Sequence, residues 1–465
     1  MAHDNGMPNQ KQKNKNRGFL LIEGLTVLFI FSLVTVTFYS VFTVGIRYIQ
    51  DAKNRLGALA VANEKIEIIR NLQYDSIGTD HGTINGNIPQ DQDVLENARP
   101  YHVHTDVSYV DDPFDGLGYA DTAWFEDYKE VTITVSWSDG SGNENVSLIS
   151  RFVPPGKEVP HIGDGILSIN VFSDQPGGVG IPNSKVAIYN PVTGLDTYST
   201  TDSAGNVTFM GSRVANSIQK YQITVTKAGY ETVTTMPPYP ISAYEPVDVH
   251  ASVVTGSMNV KNIVQNELAN IKISTTDHLD APIAGVTFHL SGGRKLGTDT
   301  TVLPAVPIYN FSQDSATDAA GEKLFNALSP GGYDFSLTGS ALSGYEIISI
   351  SPVTPFSLLS SVGTLDVKLK LADKAVSSLL LTVLDDSNDV PVSGAKVILT
   401  NTSLNYEKEI DTASDGKVFF PDSSDPFLPQ TYHVKITADG YLDNESDITI
   451  NANELKIETK KLTAS

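Results

Sequence analysis

Residues 24–46 contain no charged side chain and are dominated by Leu, Val, Ile and Phe. A helix rises 1.5 Å per residue, so this segment would be about 35 Å long, enough to cross a hydrocarbon core of about 30 Å. Four basic residues, Lys11, Lys13, Lys15 and Arg17, precede it. Because basic residues flanking a span stay in the cytoplasm, the chain is predicted to cross the cytoplasmic membrane once, with its C-terminal part outside.

Two features distinguish this segment from an ordinary secretory signal. The apolar run is long and begins near a Gly18-Phe19 junction, whereas a signal peptide has a shorter run followed by a small-residue cleavage site. The segment is also preceded by Glu23, and a carboxylate near the end of a membrane helix is costly unless it has a partner. Glu23 is therefore a candidate functional residue, and an interfacial glutamate at the start of the helix is the alternative interpretation.

The run "RGFLLIEGLTVLFIFSLVTVTFYSVF" resembles the class III signal of type IV pilins and pseudopilins, which is cut after a glycine that precedes an aromatic residue, with a glutamate shortly beyond. The resemblance implies that a prepilin peptidase removes a leader, residues 1–18, after Gly18. Phe19 then becomes the N-methylated terminus, and Glu23 meets the terminal amine of a neighbouring pilin subunit during assembly. Leu20-Leu21 replaces the commoner Thr-Leu, and residues 19–88 contain no proline. Minor pilin and pseudopilin subtypes therefore both stay open.

Beyond the span, apolar residues at helical spacing predict one long helix over residues 19–78, with Leu56, Leu59 and Ile66 on its packed face. Residues 79–156 are expected to form a small β head. Its clearest strands, "VTITVSW" and "VSLISRF", flank the turn-rich "SDGSGNEN" and predict a hairpin. The Pro- and Gly-rich "VPPGKEVP" then marks a linker.

Two groups in the head are candidate metal ligands. Asp111, Asp112 and Asp115 form an acidic loop whose hard oxygens suit calcium, although a solvated turn stabilised by Asx hydrogen bonds is the favoured interpretation. His102 and His104 are two residues apart and lie on the same face of a predicted strand. The sequence offers no third ligand for this pair. The prediction is that the protein has no metal site and no cofactor.

The last 300 residues contain a threefold repeat. A proline turn precedes an alternating strand in "PNSKVAIYN", "PIAGVTFHL" and "PVSGAKVIL". A glycine turn and a phenylalanine follow in "TDSAGNVTF", "TDAAGEKLF" and "TASDGKVFF", and each copy closes on a Gly-Tyr pair 24, 23 and 24 residues after the turn glycine. Constant spacing of this kind predicts three equivalent β modules, at residues 165–255, 270–371 and 376–465.

These repeats resemble carboxypeptidase regulatory-like and transthyretin-like modules, which are similar in shape to the pilus-stalk domains of Gram-positive bacteria. The resemblance implies Ig-like antiparallel sandwiches that present or space something. The expected fold class is thus an α+β pilin-like N-terminal part followed by three all-β sandwich domains. Copy two carries an insertion at residues 292–314, predicted to be a loop in which Arg294 and Lys295 are candidate residues for binding an anionic glycan. The favoured alternative is that these two basic side chains are simply solvated.

The composition and the motifs of the chain exclude several classes of function. The net charge of −22 disfavours nucleic acid as a partner, and the absence of cysteine excludes disulfides and thiolate chemistry. No G-x-S-x-G, H-E-x-x-H or Walker motif occurs, so the chain is not expected to be an enzyme. The leading hypothesis is a minor or tip subunit of a type IV pilus-like filament, which is inserted in the membrane and then extracellular. Its expected partners are prepilin peptidase, other pilins, and a surface glycan or host-surface ligand. The alternatives are a pseudopilin of a type II secretion or DNA-uptake machine and, more remotely, a membrane-tethered enzyme.

Overall fold

The computed structural model describes residues 21–110, 127–139, 142–155, 165–360 and 362–465, except for the side chains at 21–23, 139 and 142. The chain divides into two compact units, Met1–Pro160 and His161–Ser465.

The first unit combines a long helix with one antiparallel sheet. Helix α1 spans Leu21–Arg70, and a 3-10 turn follows at Tyr74–Ser76. The sheet has strand order β1-β2-β3-β4, and β3 and β4 form the predicted hairpin. The strand bounds are β1 Asp91–Glu96, β2 Arg99–Val110, β3 Tyr128–Asp139 and β4 Gly142–Phe152.

The rear half of α1 packs on one face of this sheet. Small and branched side chains line the contact at helical spacing: Ala58, Val61, Ala62, Ile66 and Ile69. The prediction that Leu56 and Leu59 lie on this packed face is wrong, because both are exposed. The helix turns alanines toward the sheet instead, which allows a closer approach of its backbone. Gly57 shows how close this approach is, since a Cβ there would lie 2.4 Å from Tyr101 Oη.

The helix ends eight residues before the predicted residue 78. Asn71 Nδ2 donates to the carbonyl of Glu67 at 2.8 Å, a side-chain bond that competes with continued helix. The chain then turns down onto the sheet through the 3-10 turn.

Among the described residues of the second unit, each copy of the repeat has its own large hydrophobic cluster. Two sheets contribute to every cluster. Copy one comprises β5 Gly165–Phe172, β6 Lys185–Asn190, β7 Leu195–Thr200, β8 Asn206–Gly211, β9 Ser217–Thr226, β10 Val233–Thr234, β11 Glu245–Pro246, β12 Ala251–Val253 and β13 Met258–Val264.

Copies two and three repeat this pattern with variations. Copy two comprises β14 Ala269–Thr276, β15 Thr287–Asp299, β16 Val306–Ala316, β17 Glu322–Leu328, β18 Gly331–Leu337, helix α2 Gly339–Gly344, β19 Tyr345–Ser351, β20 Phe356–Leu358 and β21 Thr364–Asp373. Copy three comprises β22 Ser378–Asp385, β23 Lys396–Asn401, a 3-10 turn Thr402–Leu404, β24 Tyr406–Asp411, β25 Lys417–Phe420, β26 Thr431–Thr437, β27 Asn444–Thr449 and β28 Leu455–Leu462.

The three copies share one pairing scheme. The first strand of each copy pairs parallel with the last (β5 with β13, β14 with β21, β22 with β28) and antiparallel with the strand that follows the turn glycine. Strand β13, which ends at Val264, therefore pairs with the first strand of copy one. Core side chains come from both sheets of a copy, which is a two-layer β arrangement.

Steric constraints explain why glycine occupies the turn of each repeat. Gly205, Gly321 and Gly416 adopt left-handed φ values of 83°, 71° and 71°. A Cβ at these positions would lie 2.3, 2.7 and 2.6 Å from a carbonyl oxygen of the copy's first strand. Only glycine fits both constraints. The phenylalanine four residues later is buried in every copy.

The prediction of a loop at residues 292–314 is wrong. This segment belongs to the hairpin of β15 and β16, which pair from Thr287↔Ala316 to Asp299↔Val306. The extra residues lengthen two strands because both can continue the same antiparallel ladder.

Candidate functional site: the N-terminal helix and the module junction

The front half of α1 presents an apolar surface that no described part of the chain covers. Residues Gly24–Arg70 have a mean hydropathy of 2.2 in their most apolar window, and none of that window is buried. Hydroxyl side chains here donate back to the helix, as in Thr35 Oγ1 to Phe31 O and Thr37 Oγ1 to Leu33 O, both at 2.8 Å. Such satisfied hydroxyls allow the helix to lie in hydrocarbon. This single N-terminal helix fits a membrane-anchored protein.

The exposed apolar stripe continues along the rear half of α1. Ile46, Ile49, Leu56 and Leu59 recur three or seven positions apart and are all exposed. The helix is therefore apolar on two sides in this region. One side packs on its own sheet, and the other is available to another surface.

A polar clasp holds the helix to the sheet at the start of the packed region. Tyr101 Oη donates to Asn54 O at 3.0 Å, and the guanidinium of Arg99 donates to Asn54 Oδ1. Asn54 is itself buried. The clasp fixes the register of the helix on the sheet.

A second anchor, at the 3-10 turn that follows α1, was not predicted from the sequence. Lys129 is buried, and its ammonium donates to Tyr74 O at 2.9 Å and to Ile77 O at 2.8 Å. The same ammonium lies 4.6 Å from the centroid of the Tyr74 ring. A sequence signal existed: Lys129 has the inward phase of Val131 and Ile133 in a strand that alternates strictly.

Several predicted site residues fall outside what the structure describes. Gly18 and Phe19 precede the described residues. Glu23 lies in α1, but its side chain is outside the described part of the structure. The candidate calcium ligands Asp111, Asp112 and Asp115 also lie outside the described ranges. The roles assigned to all of them stay predictions.

Arg294 and Lys295 occupy a bulge in β15. The register of the β15–β16 ladder shifts between Gly292 and Lys295, which frees Arg294 from the regular pattern. A bulge of this kind re-aims a side chain. Lys295 is exposed to solvent, whereas only 14% of the Arg294 side chain is exposed.

Arg294 connects the first two copies of the repeat. Its Nη1 lies 2.9 Å from Glu231 Oε1 and its Nη2 lies 2.7 Å from Asp248 Oδ2, and both acids belong to copy one. Nη1 also donates to Val264 O at 2.9 Å. The Glu231 side chain is only 2% exposed. The positive charge predicted for an open loop is thus paired in a buried junction between modules.

Backbone pairing reinforces this junction. Strand β11 of copy one pairs antiparallel with the end of β15 of copy two, where Glu245 faces Thr298 and Pro246 faces Gly297. Val247 N also donates to Leu296 O at 2.9 Å. Copy one therefore adds a short strand to a sheet of copy two.

Copies two and three meet through apolar side chains. Ala372, Leu380 and Leu455 form a small buried cluster there, separate from the three module cores. The His278 ring of copy two lies 5.2 Å from the Phe419 ring of copy three. The second junction thus contains an apolar cluster, whereas the first contains buried ion pairs.

No protein-family model matches the chain, and no curated protein matches it. Solved structures similar to parts of it include the Bacillus anthracis TIE protein, with 16% identity over 72% of this chain and a TM-score of 0.19. The chain spans 60% of that protein's length. A streptococcal ancillary pilin matches 65% of this chain and 99% of its own at 14% identity and a TM-score of 0.19. GBS52, the minor pilin of Streptococcus agalactiae, matches 42% of this chain and 96% of its own at 16% identity and a TM-score of 0.18. All three TM-scores lie below 0.5, so the proposals that follow rest on the chain's own geometry.

Proposed function

We propose that this protein is a non-enzymatic minor or tip subunit of a type IV pilus-like filament, held in the membrane before assembly. The observation that carries the proposal is the two-sided helix α1. From Gly24 to Ile46 the helix carries no charged side chain and is exposed, and its rear half packs on the β1–β4 sheet while a second apolar stripe stays exposed.

This distribution suits a helix that changes surroundings. In the membrane, lipid covers the front half. This is possible because a helix satisfies its backbone polar groups by its own hydrogen bonds. In a filament, neighbouring copies of the same helix replace the lipid, and the stripe Ile46, Ile49, Leu56 and Leu59 extends that contact beyond the membrane span. Both environments bury apolar surface, so transfer between them costs little.

Processing at the N-terminus supplies the charge partner that Glu23 requires. Cleavage after Gly18 would leave an ammonium on Phe19, and an ammonium and a carboxylate are each costly in lipid. Paired between adjacent subunits, the two groups neutralise each other and favour one helix stagger. Glu23 would therefore penalise unassembled subunits.

The β modules are proposed to project from the filament for adhesion to a surface glycan or host-surface ligand, or for spacing. Unit two comprises about 300 residues, which would crowd every position of a helical filament. A minor or tip position avoids that crowding. A pseudopilin of a secretion or DNA-uptake machine would use the same helix and is the alternative.

Processing is the direct test. The full chain, co-expressed with a prepilin peptidase, should yield a mature species that begins at Phe19 when its intact mass is measured. Gly18→Leu should block cleavage. Gly24→Leu is the matched control and should be cleaved normally, because nothing lies within 4 Å of a Cβ at that position. A surface-exposed wild-type protein that retained Met1 would refute the proposal.

Assembly is tested separately. Glu23→Val should leave membrane insertion intact, since it removes a charge from the span, but it should reduce recovery of the subunit in sheared filaments. Glu64→Gln, an exposed change on the rear half of α1, is the control. Equal recovery of the Glu23→Val variant and wild type would reject the pairing role while leaving membrane anchoring in place.

A further inference from the structure

The first and last strands of every copy lie side by side and run in the same direction. Seven residue pairs join β5 to β13, seven join β14 to β21, and eight join β22 to β28. The chain enters each copy at the start of the first strand and leaves it at the end of the last. Because the two strands are parallel, these points lie at opposite ends of one ladder. A force that separates the two ends of a copy therefore pulls the paired strands past each other along their length.

The direction of a force decides how a strand pair yields. When two paired strands are pulled past each other along their length, all the hydrogen bonds between them share the force and must break at nearly the same extension. When the strands are pulled apart at one end, the bonds break one after another. The first direction, called shear below, resists a larger force than the second, called peeling, because each bond carries only a fraction of the load.

The first strand of each copy is flanked by a partner on both edges. Strand β5 lies between β13 and β8, β14 lies between β21 and β17, and β22 lies between β28 and β25. The inward side chains of these strands belong to the core of the copy, as Leu379, Leu381 and Val383 do in copy three. Sliding β22 along β28 would therefore also displace closely packed core side chains. The ladder and the core resist shear together.

The links between copies are short and bonded to the modules. Four residues separate β13 from β14, and four separate β21 from β22. In the first link, Gln265 is buried and its side-chain amide donates to Glu231 O at 2.8 Å. In the second link, the carbonyl of Lys374 accepts from Leu455 N at 3.1 Å. Tension on one strand pair is thus passed to the next without a slack segment between them.

We propose that the second unit is a tension-bearing tether, in which a force applied between Gly165 and the C-terminus is carried in shear by the three parallel strand pairs. The force would pass along the chain through β5 and β13, then β14 and β21, then β22 and β28. A membrane-anchored N-terminus and a surface attached to copy three would load all three pairs. The inference rests on the proposed function only for this source of the load, since the strand geometry is independent of it.

Copy three allows the direction of the load to be changed in one protein. The chain contains no cysteine, so two introduced cysteines define where DNA handles attach. Ala375→Cys with Ser465→Cys places the handles at opposite ends of the β22–β28 pair and loads it in shear. Ala375→Cys with Ala452→Cys places both handles at the end where the two strands begin and peels them apart. Glu454→Cys in place of Ala452→Cys provides a second peeling variant, and all four positions are exposed.

The experiment holds the full chain in detergent at constant force in optical tweezers. Unfolding of copy three in the shear variant should lengthen the chain by roughly 300 Å, as expected for about 90 residues that extend by about 3.5 Å each. At equal force, the peeling variants should unfold at least about tenfold faster, because forced unfolding reports the height of the unfolding barrier. Their unfolding rate should also rise more steeply with force, since peeling moves the handles further before the barrier is crossed.

Circular dichroism and urea unfolding without load are the controls, and all variants should match wild type in both. Two results would overturn the proposal. One is an equal unfolding rate at equal force for the shear variant and a peeling variant that passes these controls. The other is faster unfolding under shear than under peeling. Neither result bears on processing at Gly18 or on filament assembly, which are measured without load.

Discussion

Replacing Arg294 by methionine should separate an ionic junction between modules from an open binding site. The substitution removes the guanidinium that lies between Glu231 and Asp248 but keeps an apolar stem of similar length. Glu231, at 2% exposure, would then be a buried carboxylate without its cation. Removing one partner of a buried ion pair costs about 3–5 kcal/mol, and we expect the lower end because Asp248 is partly accessible to water.

The assay is urea unfolding of the fragment 165–465, followed by circular dichroism, since urea leaves the ion pairs unscreened. A loss of about 3 kcal/mol should lower the urea midpoint by at least 1 M if the slope is about 1–3 kcal/mol per molar. Lys295→Met is the matched control. It makes the same change in net charge at the neighbouring exposed residue and should shift stability by no more than about 0.5 kcal/mol.

A second variant tests the cause. Glu231→Gln combined with Arg294→Met removes the stranded charge, so the double variant should be more stable than Arg294→Met alone. The reasoning fails if Arg294→Met and Lys295→Met are equally stable, or if the double variant loses the sum of both single effects. Either result would return Arg294 to the set of candidate ligand-binding residues.

Three further predictions concern folding. Lys129→Met should destabilise the head by about 2–3 kcal/mol in thermal unfolding of the full chain, because Tyr74 O and Ile77 O lose a charged donor, whereas the exposed Lys53→Met should have little effect. Gly416→Ala should cost about 1–3 kcal/mol more than Gly394→Ala: the two glycines have φ values of 71° and 70°, but only Gly416 has a carbonyl, Val383 O, 2.6 Å from the added Cβ. Equal losses would contradict the steric account. The fragment 165–465 should be soluble and rich in β structure by circular dichroism, and a helical or unfolded spectrum would reject the module assignment.

The sequence alone was sufficient wherever a local pattern has a local cause. The charge-free run at 24–46 specifies a long apolar helix, because length and composition decide that outcome without reference to the rest of the fold. Each of the six segments quoted from the repeat contains part of a strand, and the turn glycines Gly205, Gly321 and Gly416 are left-handed. The constant spacing made these segments recognisable, because the turn in each copy requires a glycine at the same position. The Ig-like character of the modules and their boundaries stay predictions.

Tertiary structure decided which side of each element is covered. The apolar stripe of α1 predicted Leu56 and Leu59 as packed residues, but the helix packs with its alanine side on the sheet, where Gly57 lies directly against Tyr101. Arg294 looked like an open basic residue because its partners, Glu231 and Asp248, are 63 and 46 residues away in the chain. The contact of Asp91 with the two histidines was likewise hidden, since only the register of β1 on β2 places Asp91 beside His102 and His104. Periodicity in the sequence shows which residues of a helix or strand share a face. Contacts between distant residues depend instead on pairing and packing that only the folded chain establishes.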